Sequence, residues 1–282
     1  MKRLIGILFI ILVGLYAFDV KGENPMSKER FETGYRQLKA LNPEGTDQVL
    51  GGLNDIAPDM GRFIVEFCYG DIYSRPALDV KSSQVATIAA LTALGNALPQ
   101  LKWHMNAALN VGVSPEEIVE TLYVITVYSG FPAGLNGITA VRDVFKSRNI
   151  TFRPLKTSST ADRRTRGLRT MDETSKGSGK AVIDGLADIA PDMAGFIVDF
   201  SYGDIFCRGG LTPRLKEIAA VAGMTAAGTM QPQLKVHIKA ALNVGVTKKE
   251  TVEVLMQMAV YAGFPAALNG ISTAREVFSE GK

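Results

Sequence analysis

The 282-residue chain has only two cysteines and two histidines, and no part of it shows sustained strand alternation. Cys68 and Cys207 fall at unmatched places in the repeat described below. An exported chain could join them in a disulfide, but the sequence does not show that they meet. The net charge is +3, and the excess lies mostly in one linker. This distribution argues against a broad surface for nucleic acid.

Long apolar runs are also scarce, apart from one at the N-terminus. Residues 4–18 are apolar and follow Lys2 and Arg3. This pattern predicts a signal peptide over residues 1–22 and therefore an exported protein, periplasmic or secreted. The run is short for a membrane span, which favours a cleaved signal peptide over the two alternatives, an uncleaved anchor and a misread start. No other segment is expected to cross a membrane.

The sequence is rich in internal repetition. Residues 49–145 recur at 182–278, offset by 133 positions without a gap, and just over half of the paired positions are identical. A fixed period of this kind sets the architecture. We expect module 1 over residues 28–148, a basic, Ser/Thr-rich linker over 149–162, and module 2 over 163–282.

Each copy consists of apolar and amphipathic segments punctuated by Gly, Pro and Asn, which predicts an all-α fold. The segment 80–94 is apolar nearly all round, so we expect it to be central. Ser114 and Glu117 fit a capping box, and Gly112 fits a left-handed cap. In copy 1 the pattern predicts helices at 58–69, 80–94, 99–110 and 115–128, an irregular corner at 70–76, and a last helix after the break at 130–132.

The two histidines, His104 and His237, occupy equivalent positions on the apolar stripe of a helix. Each is either a core histidine or a proton-transfer group, and burial would keep its imidazole neutral at pH 7. Upstream lie Gln84 in copy 1 and Glu217 in copy 2. Glu217 is either a solvated residue of the first helical turn or an acid/base partner of His237.

The motif Gly-Asp-Ile-x-x-Arg also occurs twice and contributes Asp71 with Arg75 and Asp204 with Arg208. Arginine suits capture of a carboxylate, but an Asp–Arg pair could equally hold the corner together. Tyr128 and Tyr261 precede Gly-Phe-Pro in the two copies, and either packing or lining a pocket would explain them.

These motifs resemble the carboxymuconolactone decarboxylase family, which belongs with alkylhydroperoxidase-like proteins. The signature continues as His-x-x-Ala-Ala-Leu-Asn-x-Gly-Val-[Ser/Thr]-x-x-Glu and then Gly-Phe-Pro-Ala-x-x-Asn, at 104–136 and 237–269. The resemblance implies helical modules that pair through long helices. The tandem chain would form its own pseudo-two-fold pair, and three chains would form a homo-oligomer that imitates a hexamer.

The family has two chemical branches. The peroxidase branch uses a Cys-x-x-Cys ahead of the histidine, but that motif falls on Ala97 and Gln100, and on Met230 and Gln233. Without thiols a disulfide relay cannot run there, so antioxidant activity of that type is disfavoured.

The other branch acts on small carboxylated lactones or related acids without a metal or organic cofactor. The resemblance implies that His237 and His104 donate or relay the proton, with Glu217 assisting in copy 2. Arg208 and Arg75 would capture the substrate, oriented by Asp204 and Asp71, with Tyr261 and Tyr128 at the pocket. Copy 2 is therefore the better-equipped site. The favoured activity is that of a lyase or a hydrolase, with a carbon–carbon lyase preferred.

A non-catalytic scaffold that assembles or binds small molecules is the competing hypothesis, and export fits poorly with aromatic-acid breakdown inside the cell. The enzyme hypothesis requires His237, Glu217 and Arg208 to converge on one cavity. The scaffold hypothesis predicts a filled interior in which the histidine bonds to the backbone.

Overall fold

A computed structural model describes residues 25–156, 159 and 161–280 of the chain. The expected signal peptide, residues 1–22, lies outside the described residues. The described part is helical without a strand, which confirms the all-α prediction. Each module has the same succession of helices, as the repeat predicts.

The helices of module 1 are numbered α1 to α6, and a π-helix follows α3. Their bounds are α1 Pro25–Leu41, α2 Pro43–Gly51, α3 Pro58–Phe63, the first π-helix Ile64–Ile72, α4 Val80–Leu94, α5 Leu98–Asn110 and α6 Pro115–Ser147.

Module 2 repeats this order from α7 to α12. Its bounds are α7 Arg163–Ser175, α8 Ser178–Asp184, α9 Pro191–Phe196, the second π-helix Ile197–Phe206, α10 Pro213–Ala227, α11 Gln231–Asn243 and α12 Lys248–Glu280.

Local signals set most helix ends where the sequence predicts them. The Ser114 hydroxyl accepts from the backbone N–H of Glu117, and the Glu117 carboxylate accepts from the backbone N–H of Ser114, which confirms the capping box. Gly112 adopts φ 85° after α5, the left-handed conformation expected there. Helix α4 has the predicted bounds and is buried over most of its length.

The expected corner at 70–76 begins later than predicted, because the first π-helix continues to Ile72. The wider turn lets the Tyr73 N–H donate to the carbonyl of Cys68, five residues back, at 2.9 Å. Helix α1 packs closely on this segment: a Cβ at Gly70 would lie 2.7 Å from the carbonyl oxygen of Arg30. Only glycine permits that approach.

Helices α4 and α10, one from each module, pack against each other at the centre of the molecule, with α6 and α12 beside them. A Cβ at Gly223 in α10 would meet the Ile125 side chain at 2.6 Å, so glycine allows the two modules to approach closely. The hydrophobic core is accordingly continuous from one module to the other. The predicted pairing of modules brings α6 and α12 each within reach of the other module's histidine.

Helices α6 and α12 are each bent by a glycine within the Gly-Phe-Pro break. Gly130 has φ 82° and ψ 166°, and Gly263 has φ 83° and ψ 163°. Both helices are long and apolar enough to cross a membrane by length and composition, contrary to the expectation that no segment after the N-terminus would be. Each nevertheless buries one face in the shared core, as a core helix does.

Candidate functional site

His237 lies at the junction of the two modules, between a carboxylate of its own module and a tyrosine of the other. Its Nδ1 is 2.7 Å from Oε2 of Glu217, which lies on the neighbouring helix α10. Its Nε2 is 2.9 Å from the hydroxyl of Tyr128, which α6 of module 1 supplies. Three helices from two modules thus form one hydrogen-bonded row, Glu217–His237–Tyr128.

Glu217 is completely buried, so the alternative of a solvated first-turn residue is wrong. Lys216 and Glu217 follow Pro213 in the first turns of α10, where the central packing of α4 against α10 covers them. Oε1 of Glu217 is buried without a hydrogen-bond partner among the described residues. A buried carboxylate with a free oxygen is costly, and such groups cluster at functional sites.

The hydrogen bonds define the direction in which a proton can move. An ionised Glu217 only accepts, so Nδ1 of His237 carries the proton and Nε2 accepts from the Tyr128 hydroxyl. Burial raises the pKa of Tyr128 well above its usual value, and the nearby charge of Glu217 raises it further. Tyr128 therefore stays protonated and can donate a hydrogen bond at neutral pH.

The row borders a cavity of about 200 Å³. Most of its wall is apolar, and no cationic side chain lines it within the described part of the chain. Gln233, at a position where the peroxidase branch would place a cysteine, is on this wall. The lining residues are Val127, Tyr128, Gly179, Val182, Ile197, Ser201, Tyr202, Gln233, Val236 and His237.

The equivalent site around His104 is built differently. Nδ1 of His104 is 3.0 Å from the Gln84 side-chain oxygen, and Nε2 is 3.2 Å from the hydroxyl of Tyr261 on α12. Tyr261 in turn bonds to the hydroxyl of Tyr73 at 2.6 Å. Burial lowers the pKa of His104 to about 3, so its imidazole is neutral at pH 7.

One aromatic side chain, that of Trp103, fills space beside His104 that is open beside His237. The Trp103 ring packs edge-on against His104, with centroids 4.8 Å apart. Its counterpart is Val236, which lines the cavity of module 2. Tyr73 adds a hydroxyl where module 2 has Phe206. The two sites therefore share the same arrangement of helices, but in module 1 a larger side chain occupies the space that forms the cavity in module 2.

Arg208 does not join His237 at the cavity, so the convergence of His237, Glu217 and Arg208 that the enzyme hypothesis was expected to require is wrong. A carboxylate held beside His237 would need partners other than this arginine. The Arg208 guanidinium binds Glu120 of α6 through Nε and Nη2 at 2.9 and 2.7 Å. The Tyr123 ring lies beneath it, 4.8 Å away. Arg75 approaches the equivalent Glu253 at 3.5 Å. Both arginines thus join the two modules.

The two aspartates of the motif do not orient these arginines, so that expectation is also wrong. Asp71 accepts from Nε of Arg30 on α1 at 2.9 Å. Asp204 pairs with Arg163 at the start of α7. Each aspartate instead fastens the first helix of its module to the π-helix, because that helix packs directly over the motif.

Comparison with known proteins agrees with this architecture. The model of the carboxymuconolactone decarboxylase family matches residues 58–143 and again residues 191–276. The chain belongs to this family.

Two relatives resemble this member of the family over about one module each. A 4-carboxymuconolactone decarboxylase of Acinetobacter baylyi is 32% identical over 124 residues, which cover 44% of this chain and 92% of the relative. An uncharacterised 15.0 kDa protein of Paracoccus denitrificans is 26% identical over 119 residues, 42% of this chain and 89% of its own.

A solved structure shows the same fold. It is a chain from Burkholderia xenovorans, provisionally described as a gamma-carboxymuconolactone decarboxylase subunit. It aligns with a TM-score of 0.56 at 23% identity and covers 88% of this chain and 98% of its own. That chain matches both modules together, so the tandem arrangement is shared.

The two thiols of this family member form no disulfide with each other. Cys68 and Cys207 are both free. Burial raises the pKa of Cys68 to about 11, which keeps it a thiol. In the described part of the chain no three His, Cys, Asp or Glu side chains cluster closely enough to hold a metal ion.

Sequence reasoning missed Glu120 and Glu253, which hold the motif arginines, and it missed the buried Lys216. The two glutamates occur at equivalent positions, as acidic residues within otherwise apolar helices. That position was a usable signal, because a carboxylate on a buried face needs a cationic partner. Lys216 gave no such signal, since its counterpart in module 1 is Ser83.

Proposed function

We propose that module 2 is a carbon–carbon lyase site that decarboxylates a small carboxylated lactone or a related acid by histidine-assisted proton transfer. The observation that carries this proposal is the buried row Glu217–His237–Tyr128 at the edge of a small apolar cavity. The similarity to a 4-carboxymuconolactone decarboxylase supports the reaction class.

The reaction breaks the bond between the substrate carbon and its carboxylate. Carbon dioxide leaves, and its bonding electrons remain as a carbanion stabilised by the adjacent carbonyl system. The Tyr128 hydroxyl delivers a proton to this carbon and is left as a tyrosinate. After the product leaves, Nε2 of His237, which lines the cavity, takes up a proton from solvent, and the resulting imidazolium passes a proton to Tyr128. Glu217 steadies the imidazolium formed on the way. A positioned acid of this kind contributes on the order of 10²–10⁴-fold.

The apolar wall suits a decarboxylation better than a hydrolysis. A carboxylate loses hydration on entering a cavity lined by Val127, Val182 and Ile197, whereas the departing carbon dioxide is neutral. Desolvation therefore raises the ground state more than the transition state, in which the charge is spread. Gln233 and Ser201 offer neutral donors that hold the carboxylate without the stabilisation that an arginine would give.

Module 1 serves as a structural partner that supplies Tyr128. The surroundings of His104 agree with the filled interior that the scaffold hypothesis predicts, since the Trp103 ring packs against it. His104 bonds to side chains rather than to the backbone, however. The scaffold function is accordingly favoured for module 1 alone.

The test is turnover of γ-carboxymuconolactone by the mature chain, followed as substrate loss and carbon dioxide release. His237→Ala should abolish turnover, while the matched variant His104→Ala should retain it if the fold is intact by circular dichroism. Equal losses in both variants would contradict the assignment to module 2. No turnover by the parent would remove this substrate and favour another small acid or the scaffold.

We also propose an exported homo-oligomer, with three tandem chains in a ring. Large apolar side chains are exposed at equivalent positions of the two modules, namely Phe63, Phe131, Leu135, Phe196, Phe264 and Leu268. A repeated apolar surface of this kind indicates association. Light scattering after size-exclusion chromatography gives the number of chains, and mass spectrometry of the exported protein gives its N-terminus.

A further inference from the structure

A second cavity, of about 730 Å³, lies between α7, the end of the second π-helix and the start of α10. Five cationic side chains line it against one carboxylate, Glu173. The cations are Arg166, Arg169, Arg208, Arg214 and Lys216. It is separate from the His237 cavity, and the ring of Phe206 packs between the two, 6.0 Å from the imidazole centroid.

Three of these cations already have carboxylate partners. Arg208 pairs with the buried Glu120 at 2.7 Å. Arg214 pairs with Glu250. Arg169 lies 3.9 Å from Glu173, and both of these side chains are largely exposed. The balance of charge in the cavity therefore depends on the remaining two cations.

Lys216 is buried but has no carboxylate within ion-pair distance among the described residues. Its ammonium donates to the backbone carbonyl of Phe206 at 2.7 Å and to that of Arg208. An ammonium has three N–H donors, so one is left for the cavity that Lys216 lines. Desolvation by burial lowers the pKa of Lys216, as expected for an ammonium that is removed from water.

Arg166 has the same deficiency. Its Nε donates to the carbonyl of Gly203 at 2.9 Å, but its Nη2 is buried without any hydrogen-bond partner in the described structure. Arg166 on α7 and Lys216 on α10 thus both donate hydrogen bonds to backbone carbonyls of residues 203–208, and each has at least one N–H group left unpaired. Buried donors of charged groups are costly when unpaired.

We propose that this cavity is a binding site for a small anion with two or more negative charges, a polycarboxylate or a phosphate. Such an anion would accept the spare N–H groups of Arg166 and Lys216 and balance their charge. The cavity volume falls in the range of small-molecule sites. Thr212, which caps α10, also lines the cavity and adds a helix N-terminus.

The site belongs to module 2 alone. The positions of Arg166 and Lys216 are occupied in module 1 by Thr33 and Ser83. The repeat therefore provides an internal comparison in which the same framework lacks the two uncompensated cations. It also supplies substitutions that this framework accommodates.

Isothermal titration calorimetry of the full mature chain at low salt, with inorganic phosphate and with citrate as probes, tests the proposal. Saturable binding of either dianion or trianion, with acetate much weaker, is expected at one site per chain. The relative strength of phosphate and citrate decides which anion class the site prefers. Arg166→Thr and Lys216→Ser should each weaken binding by about 10-fold or more, the loss of one charged hydrogen bond.

Two further variants serve as controls. Lys216→Met keeps the aliphatic stem in place should Lys216→Ser fail to fold. Lys81→Gln removes the module 1 counterpart of Arg214 and should leave binding unchanged. Absence of binding by the parent, or equal weakening by Lys81→Gln, would overturn the proposal and leave Arg166 and Lys216 as caps for the π-helix carbonyls.

Discussion

The exchange of Glu217 for glutamine tests the central feature of the proposed site. Glu217→Gln preserves the shape of the side chain and creates in module 2 the Gln–His pair that module 1 already has. The carboxylate of Glu217 is fully buried and uses one oxygen on His237 at 2.7 Å, while the other has no described partner. The substitution therefore removes a charge and leaves the geometry in place.

The expected effects on stability and on activity differ in size. Replacing a charge-assisted hydrogen bond by a neutral one costs about 1 kcal/mol. The unpaired oxygen of Glu217 becomes an unpaired amide NH2, like that of Gln84, and an uncharged group costs less to bury than a charged one, which offsets this loss. We therefore expect the free energy of unfolding to stay within about 1 kcal/mol of the parent or to rise. Turnover should fall by about 10²-fold or more, which corresponds to roughly 2.7 kcal/mol in the activation free energy.

The assays are urea unfolding at pH 7 and steady-state turnover of γ-carboxymuconolactone, with Gln84→Glu as the matched reverse exchange. Gln84→Glu introduces a buried charge beside the filled site of module 1, so it should lower stability without raising activity. Retention of most of the turnover by Glu217→Gln would refute the proposed role of the Glu217 carboxylate. A loss of several kcal/mol of stability in this variant would also refute that role, because Glu217 would then be a structural ion partner.

Three further outcomes are expected. Burial lowers the pKa of His104 to about 3 from 6.5, so between these pH values the unfolded chain binds a proton that the folded chain does not. The free energy of unfolding is therefore unaffected above pH 6.5 and should be lower by about 2–3 kcal/mol at pH 4.5. Urea unfolding at both pH values should show that loss in the parent and not in His104→Gln, and equal losses would refute it. Tyr128→Phe should reduce turnover by at least about 10-fold at a stability cost near 1 kcal/mol, and equal reduction by Tyr261→Phe would contradict the assignment to module 2. Arg208→Ala leaves the buried Glu120 without a cationic partner and should lower the free energy of urea unfolding by about 3–5 kcal/mol. A double change of Arg208 and Glu120 to methionine should lower it clearly less. A small loss for Arg208→Ala alone would show that the pair is not buried in solution.

The local structure followed closely from local sequence signals. The capping box at Ser114, the left-handed Gly112 and the bounds of α4 all depend on residues within a few positions of each other. Such hydrogen bonds form wherever the helix forms, so the sequence contains them in full. The late start of the corner was missed, because a π-helix depends on how α1 packs over Gly70.

The candidate site was only partly within reach of the sequence. The pairing of Glu217 with His237 was one of two stated alternatives. Their spacing alone could not separate these, since burial of the first turns of α10 depends on its packing against α4. The partner of Arg208 was assigned wrongly. Glu120 lies 88 residues away on a helix of the other module, and a charged side chain pairs with whatever the packed helices bring near it.

By itself, therefore, the sequence determined the two-module organisation, the all-α fold, most helix ends and the equivalence of His104 and His237. These features depend on repetition and short-range hydrogen bonding. Only the tertiary structure decided that Tyr128 of module 1 completes the site of module 2. It also decided that the cavity beside Val236 is open while Trp103 fills the space beside His104. Both depend on which helices meet across the junction of the modules and on the volume left between them, and a linear pattern specifies neither quantity.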